Sequence, residues 1–147
     1  MNAKKINLRI VTPDKTVVDT SVDAVGAVGS DGGFTALPGH IDFLTDLKPG
    51  VLWYRAEGQT RELAVSGGFI EVKPNYASVL ADSAEYIEEI DIERAQQAIK
   101  RAESLLIKAK AASQSGTEAN KAEISQITAS LTRAATRLKL AVHRLPR

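Results

Sequence analysis

A chain of 147 residues with 44% hydrophobic side chains is long enough for one domain, or a small domain with an appendage, and too apolar for a disordered tail. The absence of cysteine excludes a disulfide scaffold, thiolate chemistry and cysteine-based metal sites. The net charge of +1 hides an asymmetry: residues 1–86 hold 8 basic and 11 acidic side chains, a net of −3, while residues 87–147 hold 11 and 7, a net of +4.

Ile6, Leu8 and Ile10 alternate with Asn7 and Arg9, the period-2 pattern of a strand with one buried face. Thr12-Pro13-Asp14-Lys15 is turn chemistry. Strands are predicted over Thr16–Asp19 and Val22–Val28, where Gly26 and Gly29 would bend them or admit a close neighbour. Ser30-Asp31-Gly32-Gly33 reads as a turn, Phe34–Leu37 as a short strand and Leu37-Pro38-Gly39-His40 as a tight corner. Phe43–Leu47, Val51–Ala56, Arg61–Val65, Gly67–Val72 and Ala77–Asp82 complete about nine strands, and Glu57-Gly58-Gln59-Thr60 forms a hairpin turn. So many short strands over so short a span predict a β-sandwich or barrel. Nothing in this half assembles an enzyme. The Gly32 region lacks a phosphate-binding P-loop pattern, and His40 has no second histidine at metal-ligand spacing.

The pattern changes at Ala84–Ala95. Downstream there is a single glycine, Gly116, and apolar residues recur at helical spacing. Asp91 is placed to cap a helix over Asp91–Ala112 whose apolar face runs through Ile92, Ala95, Ile99, Ala102, Leu106 and Ala109. Ser113-Gln114-Ser115-Gly116 breaks that helix and Thr117 caps the next, which Pro146 ends. The fold class expected is therefore an all-β N-terminal sandwich of about nine or ten strands over residues 1–86, followed by a C-terminal antiparallel α-helical hairpin over residues 87–147.

Many apolar positions of the hairpin are alanine, which contributes little buried area, while Ala, Lys, Glu, Gln and Arg favour the helix itself. Persistent helices with weak mutual packing can open into an extended arm; a static hairpin fits the composition equally. No acid follows Glu123, so the second helix is cationic, and an acidic protein surface, a nucleotide or a nucleic acid would suit it. No aromatic residue follows Tyr86, which leaves no stacking platform and argues against nucleic acid. A turn centred near Ser115 would bring Arg133 and Arg137 toward Gln97, Glu93 and Arg94. Arg94, Arg133 and Arg137 would then converge near Asp91, either as an oxyanion site or as surface ion pairs with Glu89, Asp91 and Glu93.

Taken in order, Val11-Thr12-Pro13, Leu37-Pro38-Gly39-His40, Leu47-Lys48-Pro49-Gly50, Ser66-Gly67-Gly68-Phe69-Ile70-Glu71-Val72 and Val79-Leu80-Ala81-Asp82 resemble the epsilon subunits of bacterial F-type ATP synthases. That resemblance implies a non-catalytic central-stalk subunit with no required cofactor and no metal. Its sandwich would dock on the gamma subunit and the c-ring through Asp31, Gly33, Leu37, Pro38 and His40. Its hairpin would inhibit ATP hydrolysis by extending toward the alpha and beta subunits, with Arg133, Arg137, Lys139 and Arg144 facing beta. Ile90-Asp91-Ile92-Glu93-Arg94-Ala95 is similar to the motif through which some members bind regulatory ATP. The same resemblance carries that role to Glu85, Ile90, Asp91, Arg94, Ala95, Arg133 and Arg137. The sequence departs from the family at Gly33, where relatives often carry an acid, and at Thr35, where they carry glycine. The opening MNAKKINLRIV has no apolar run of signal-peptide length, and no segment is long and apolar enough to span a bilayer. The expected address is the cytoplasmic face of the bacterial inner membrane, held there only indirectly through partners.

Overall fold

The structure, a computed structural model, describes residues 4–112 and 118–143. The predicted loop Ser113–Gly116, the cap Thr117, and Arg144, Leu145 and Pro146 lie outside the described residues. The chain divides into two compact units, Met1–Glu89 and Ile90–Arg147.

The first unit is a sandwich of two five-stranded sheets. Its strands are β1 (Ile6–Val11), β2 (Thr16–Val22), β3 (Ala24–Gly29), β4 (Gly32–Ala36), β5 (Phe43–Asp46), β6 (Gly50–Ala56), β7 (Gln59–Val65), β8 (Gly68–Val72), β9 (Tyr76–Ala81) and β10 (Ala84–Tyr86). One sheet runs β2-β1-β9-β8-β5 and the other β10-β7-β6-β3-β4; the pair β1–β9 is parallel and the remaining neighbours are antiparallel. The alternation in β1 does what its pattern dictates. Ile6, Leu8 and Ile10 have no solvent exposure and pack in the core with Leu52, Leu63, Ile70, Val72 and Val79.

Two details differ from the sequence reading. The predicted strand Val22–Val28 is split at Asp23, with Val22 ending β2 and Ala24 opening β3. The tenth strand, β10, lies inside the stretch where the pattern changes, and a single 3-10 turn, Ile87–Glu89, follows it.

Glycines carry two close approaches. A Cβ on Gly26 would sit 2.4 Å from the Trp53 indole, its cross-strand partner, so the ring lies over the bare backbone. At Gly68 the φ of +112° already favours glycine, and a Cβ would meet the Leu80 carbonyl oxygen at 2.0 Å. Glu57 and Gly58, with φ of 51° and 75°, form the two-residue turn between the paired residues Ala56 and Gln59, as a primed hairpin turn requires.

The second unit is the helical hairpin of α1 (Ile92–Ala112) and α2 (Glu118–His143). The two helices pack on one another, and α1 buries Ala95, Ala102 and Ala109 at seven-residue spacing. On α2 the buried residues among those described are Ala134 and Ala141, again seven apart.

Candidate functional site

At the start of α1, the Arg94 N–H donates to Asp91 Oδ1 at 2.9 Å and the Ala95 N–H donates to the Asp91 carbonyl at 3.0 Å. Asp91 is thus the N-cap, satisfying backbone donors that have no partner within the helix. Ala95 is fully buried and Ile90 nearly so, which assigns both to packing. Arg94 is exposed. Within Ile90–Ala95, then, three residues have a local structural task, and Arg94 keeps its side chain for solvent or a ligand.

Glu85 sits on β10 opposite Ala64 of β7, half-buried. On α2, Arg133 is exposed and donates through Nη2 to Ser130 Oγ at 3.0 Å, one turn back on its own helix; Arg137 is half-buried and Lys139 exposed. Ile99 lines a groove of about 480 Å³ with Ala135, Leu138, Lys139, Val142 and His143. A turn centred at Ser115 pairs Ile99 with Leu131, yet Ala135 and Leu138 lie four and seven residues further on. The helices are therefore offset from the expected register. Lys139 and His143 flank Ile99 in this groove, a placement that the sequence argument did not reach. Among the described residues no group of three or more His, Asp or Glu side chains is arranged to hold a metal.

The sandwich carries a second candidate surface at the corner after β4. Asp31 and Gly33 are exposed, Pro38 and His40 half-buried, and Leu37 is 53% exposed. The His40 N–H donates to the Leu37 carbonyl at 3.0 Å and its ring Nδ1 bonds the Ile41 carbonyl at 2.7 Å. The Gly39 N–H donates to the Pro74 carbonyl at 2.7 Å, while Lys73 Nζ pairs with Asp42 at 2.6 Å. The Asp42 carboxylate, through that hydrogen bond, raises the Lys73 pKa above its ordinary value. Phe34 and Phe43 meet edge to face at 5.1 Å beneath the corner. These bonds fix a firm tip on which Ile41 stands 77% exposed beside Leu37.

A third surface was missed from the sequence. Val11, Leu80 and Phe69 lie side by side across β1, β9 and β8, and Leu44 stands two rungs along on β5, on the same face. Leu44, Phe69 and Leu80 are 70%, 55% and 60% exposed, a cross-strand apolar row on the outer face of a sheet. Strand parity held the signal: Ile70 and Val79 point inward, so Phe69 and Leu80 point out. Such rows mark interaction sites more often than isolated surface leucines do.

Residues 5–87 match the family described as ATP synthase, Delta/Epsilon chain, beta-sandwich domain. An ATP synthase epsilon chain of Nitratidesulfovibrio vulgaris (strain DP4) is 45% identical over 137 residues, 93% of this chain and 96% of the relative. The chain belongs to the ATP synthase epsilon chain family. A family member from Syntrophobacter fumaroxidans (strain MPOB) is 43% identical over 139 residues, covering 95% of this chain and 97% of its own. The fold is also similar to a chain in the cryo-EM structure of the Euglena gracilis mitochondrial ATP synthase, OSCP/F1/c-ring in rotational state 1. There the TM-score is 0.71 at 26% identity, covering 96% of this chain and 83% of that one. Like its family, this epsilon chain is a β-sandwich followed by two helices, and no helix among its described residues is long and apolar enough to cross a membrane.

Proposed function

We propose that this epsilon chain is a non-catalytic central-stalk subunit of a bacterial F-type ATP synthase, peripheral on the cytoplasmic side of the membrane. Its sandwich docks on the gamma subunit and the c-ring, and its hairpin is a regulatory arm that restrains ATP hydrolysis. The observation that carries the docking role is the outer apolar row of Leu44, Phe69 and Leu80, too exposed for a surface left to water. The row is assigned to gamma, and the corner of Leu37, Pro38 and His40, with Asp31 and Gly33, to the c-ring side. Lys139 on the groove, Arg133, Arg137 and, outside the described residues, Arg144 supply the positive charge for the beta subunits.

The docking test is a Phe69→Asp/Leu80→Asp chain mixed with gamma. The expected result is loss of co-purification with the sandwich still folded, since both side chains are exposed. Wild-type binding by that variant would remove the row from the interface.

Regulatory ATP is assigned to the region of Glu85, Asp91, Arg94, Arg133 and Arg137. The exposed Arg94 beside the capped end of α1 supports it, because a helix N-terminus and a guanidinium both favour phosphate. ATP titration of the full chain, with Arg94→Ala/Arg137→Ala as the control, checks this. Equal affinity in the two proteins would move the site elsewhere, and no binding to wild type would leave Asp91 a helix cap alone.

A further inference from the structure

The segment that leaves the sandwich is held by little backbone. β10 is a three-residue edge strand paired only with β7, and the 3-10 turn after it buries one side chain, Ile87. Short edge strands fray readily, because few ladder hydrogen bonds resist opening. Three side-chain contacts nevertheless converge here from two neighbouring strands. Tyr54 and Tyr86 share a hydroxyl–hydroxyl bond of 2.8 Å. The Arg61 guanidinium lies 4.5 Å from the centre of the Tyr86 ring, and its Nη2 donates to Glu88 Oε1 at 2.7 Å. Tyr54 and Arg61 are cross-strand partners, so one rung of β6 and β7 supplies both grips.

The chemistry favours arginine at that rung. Its planar face covers the ring while its fork meets the carboxylate, a combination that lysine lacks. Arg61 makes these contacts although its Nε is buried without a protein hydrogen-bond partner.

We propose that Arg61 is a clasp: by fastening Tyr86 and Glu88 to the sandwich, it sets Glu89 as the first residue free to act as a hinge for the arm. Opening the clasp releases the five residues from Ala84 to Glu88, an added tether of about 16 Å at ~3.3 Å per extended residue. It also unpairs Glu85 from its place opposite Ala64. Arg61 is then a positioning residue. The regulatory consequence rests on the hairpin being a mobile arm; the clasp itself does not.

The experiment measures hydrogen–deuterium exchange in the full chain for wild type, Arg61→Met, Arg61→Lys, Glu88→Gln and the Arg61→Met/Glu88→Gln double variant. Exchange over residues 84–89 is expected to quicken in Arg61→Met on the order of tenfold, the combined size of an exposed ion pair and a cation–π contact. Arg61→Lys and Glu88→Gln should each fall between it and wild type, because each keeps a cation at the Tyr86 ring, and the double variant should exchange at least as fast as Arg61→Met. Protection of β1 and β9 should stay unchanged. A uniform rise across the sandwich would make Arg61 a general stabiliser, and unchanged exchange over residues 84–89 would remove the clasp; either overturns the proposal. A separate reading takes label distances between the sandwich and α2 in the assembled synthase. If the wild-type distance never varies, the mobile-arm reading fails while the exchange result still decides the clasp. If it varies and Arg61→Met leaves its distribution unaltered, the clasp does not set the hinge.

Discussion

The side chains cut off from solvent in the sandwich include large ones: Ile6, Leu8, Ile10, Leu52, Leu63 and Ile70 have no exposure at all. Among the described residues of the hairpin after Ile90, the buried ones are all alanines, namely Ala95, Ala102, Ala109, Ala134 and Ala141. A buried leucine or isoleucine contributes roughly 1.5–3 kcal/mol of transfer free energy, whereas alanine has one methyl group to bury. Strands cannot stand without such a core, because an isolated hairpin of strands is marginal in water. Helices made of Ala, Lys, Glu and Arg keep most of their hydrogen bonds even when their neighbours leave. The sandwich is thus specified by burial, and the hairpin by local propensity with a close, thin seam. A platform and an arm would need that division.

The sharpest way to break the comparison is to remove the same kind of volume from the sandwich. Ile70→Ala should cost about 2–5 kcal/mol by urea denaturation followed through Trp53 fluorescence, the range for a fully buried isoleucine. A cost under ~1 kcal/mol would mean that the sandwich does not depend on its core. Next comes the opposite change in the seam. Ala102→Leu should force the helices apart and cost about 1–3 kcal/mol of hairpin packing. Helical content by circular dichroism should hardly move, while the distance between labels on α1 and α2 lengthens. Loss of helicity instead would show that the seam, not propensity, makes these helices.

Smaller still is the cap. Asp91→Ala removes the carboxylate that accepts the Arg94 N–H and should cost ~1 kcal/mol, fraying the first turn of α1. Amide exchange at Arg94 and Ala95 reads this directly, and an Asp91→Asn or Asp91→Ser chain should retain most of the protection. Retained ATP affinity in Asp91→Asn would assign the residue's part in any nucleotide site to helix geometry rather than to charge.

What could be read from the chain follows the range of the interactions. Asp91 was legible as a cap because its acceptor and donor are three residues apart, and β1 because alternation is local. Gly26 was expected to bend its strand or admit a close neighbour, and the Trp53 indole indeed lies over it. β10 was missed because Ala84-Glu85-Tyr86 is too short to show a period and runs straight into helix-start residues. The offset between α1 and α2 was beyond reach for a different reason: a seam of alanines offers no distinctive volumes to fix one register over another. The clasp joins Arg61 to Glu88 across 27 residues, and nothing in either local pattern announces it.

The smallest expected effect probes the join between the two regions through Tyr86. Burial and the hydrogen bond that its hydroxyl makes to Tyr54 disfavour its phenolate and push its pKa from 10.0 up to about 12. The folded state therefore prefers the neutral ring more strongly than the unfolded chain does. Its contribution to stability is complete below pH 10 and is lost as pH rises from 10 through about 12. A wild-type chain should lose stability in that window more steeply than Tyr86→Phe, which has no proton to give up. At neutral pH the same variant should be weaker by only ~1 kcal/mol, the worth of one hydroxyl bond. Spectrophotometric titration of the phenolates alongside urea denaturation separates the two effects. If both chains lose stability in parallel above pH 10, Tyr86 is not what alkali attacks at this end of the sandwich. If only the wild type falls, the Tyr54–Tyr86 bond is part of what holds the last strand in place.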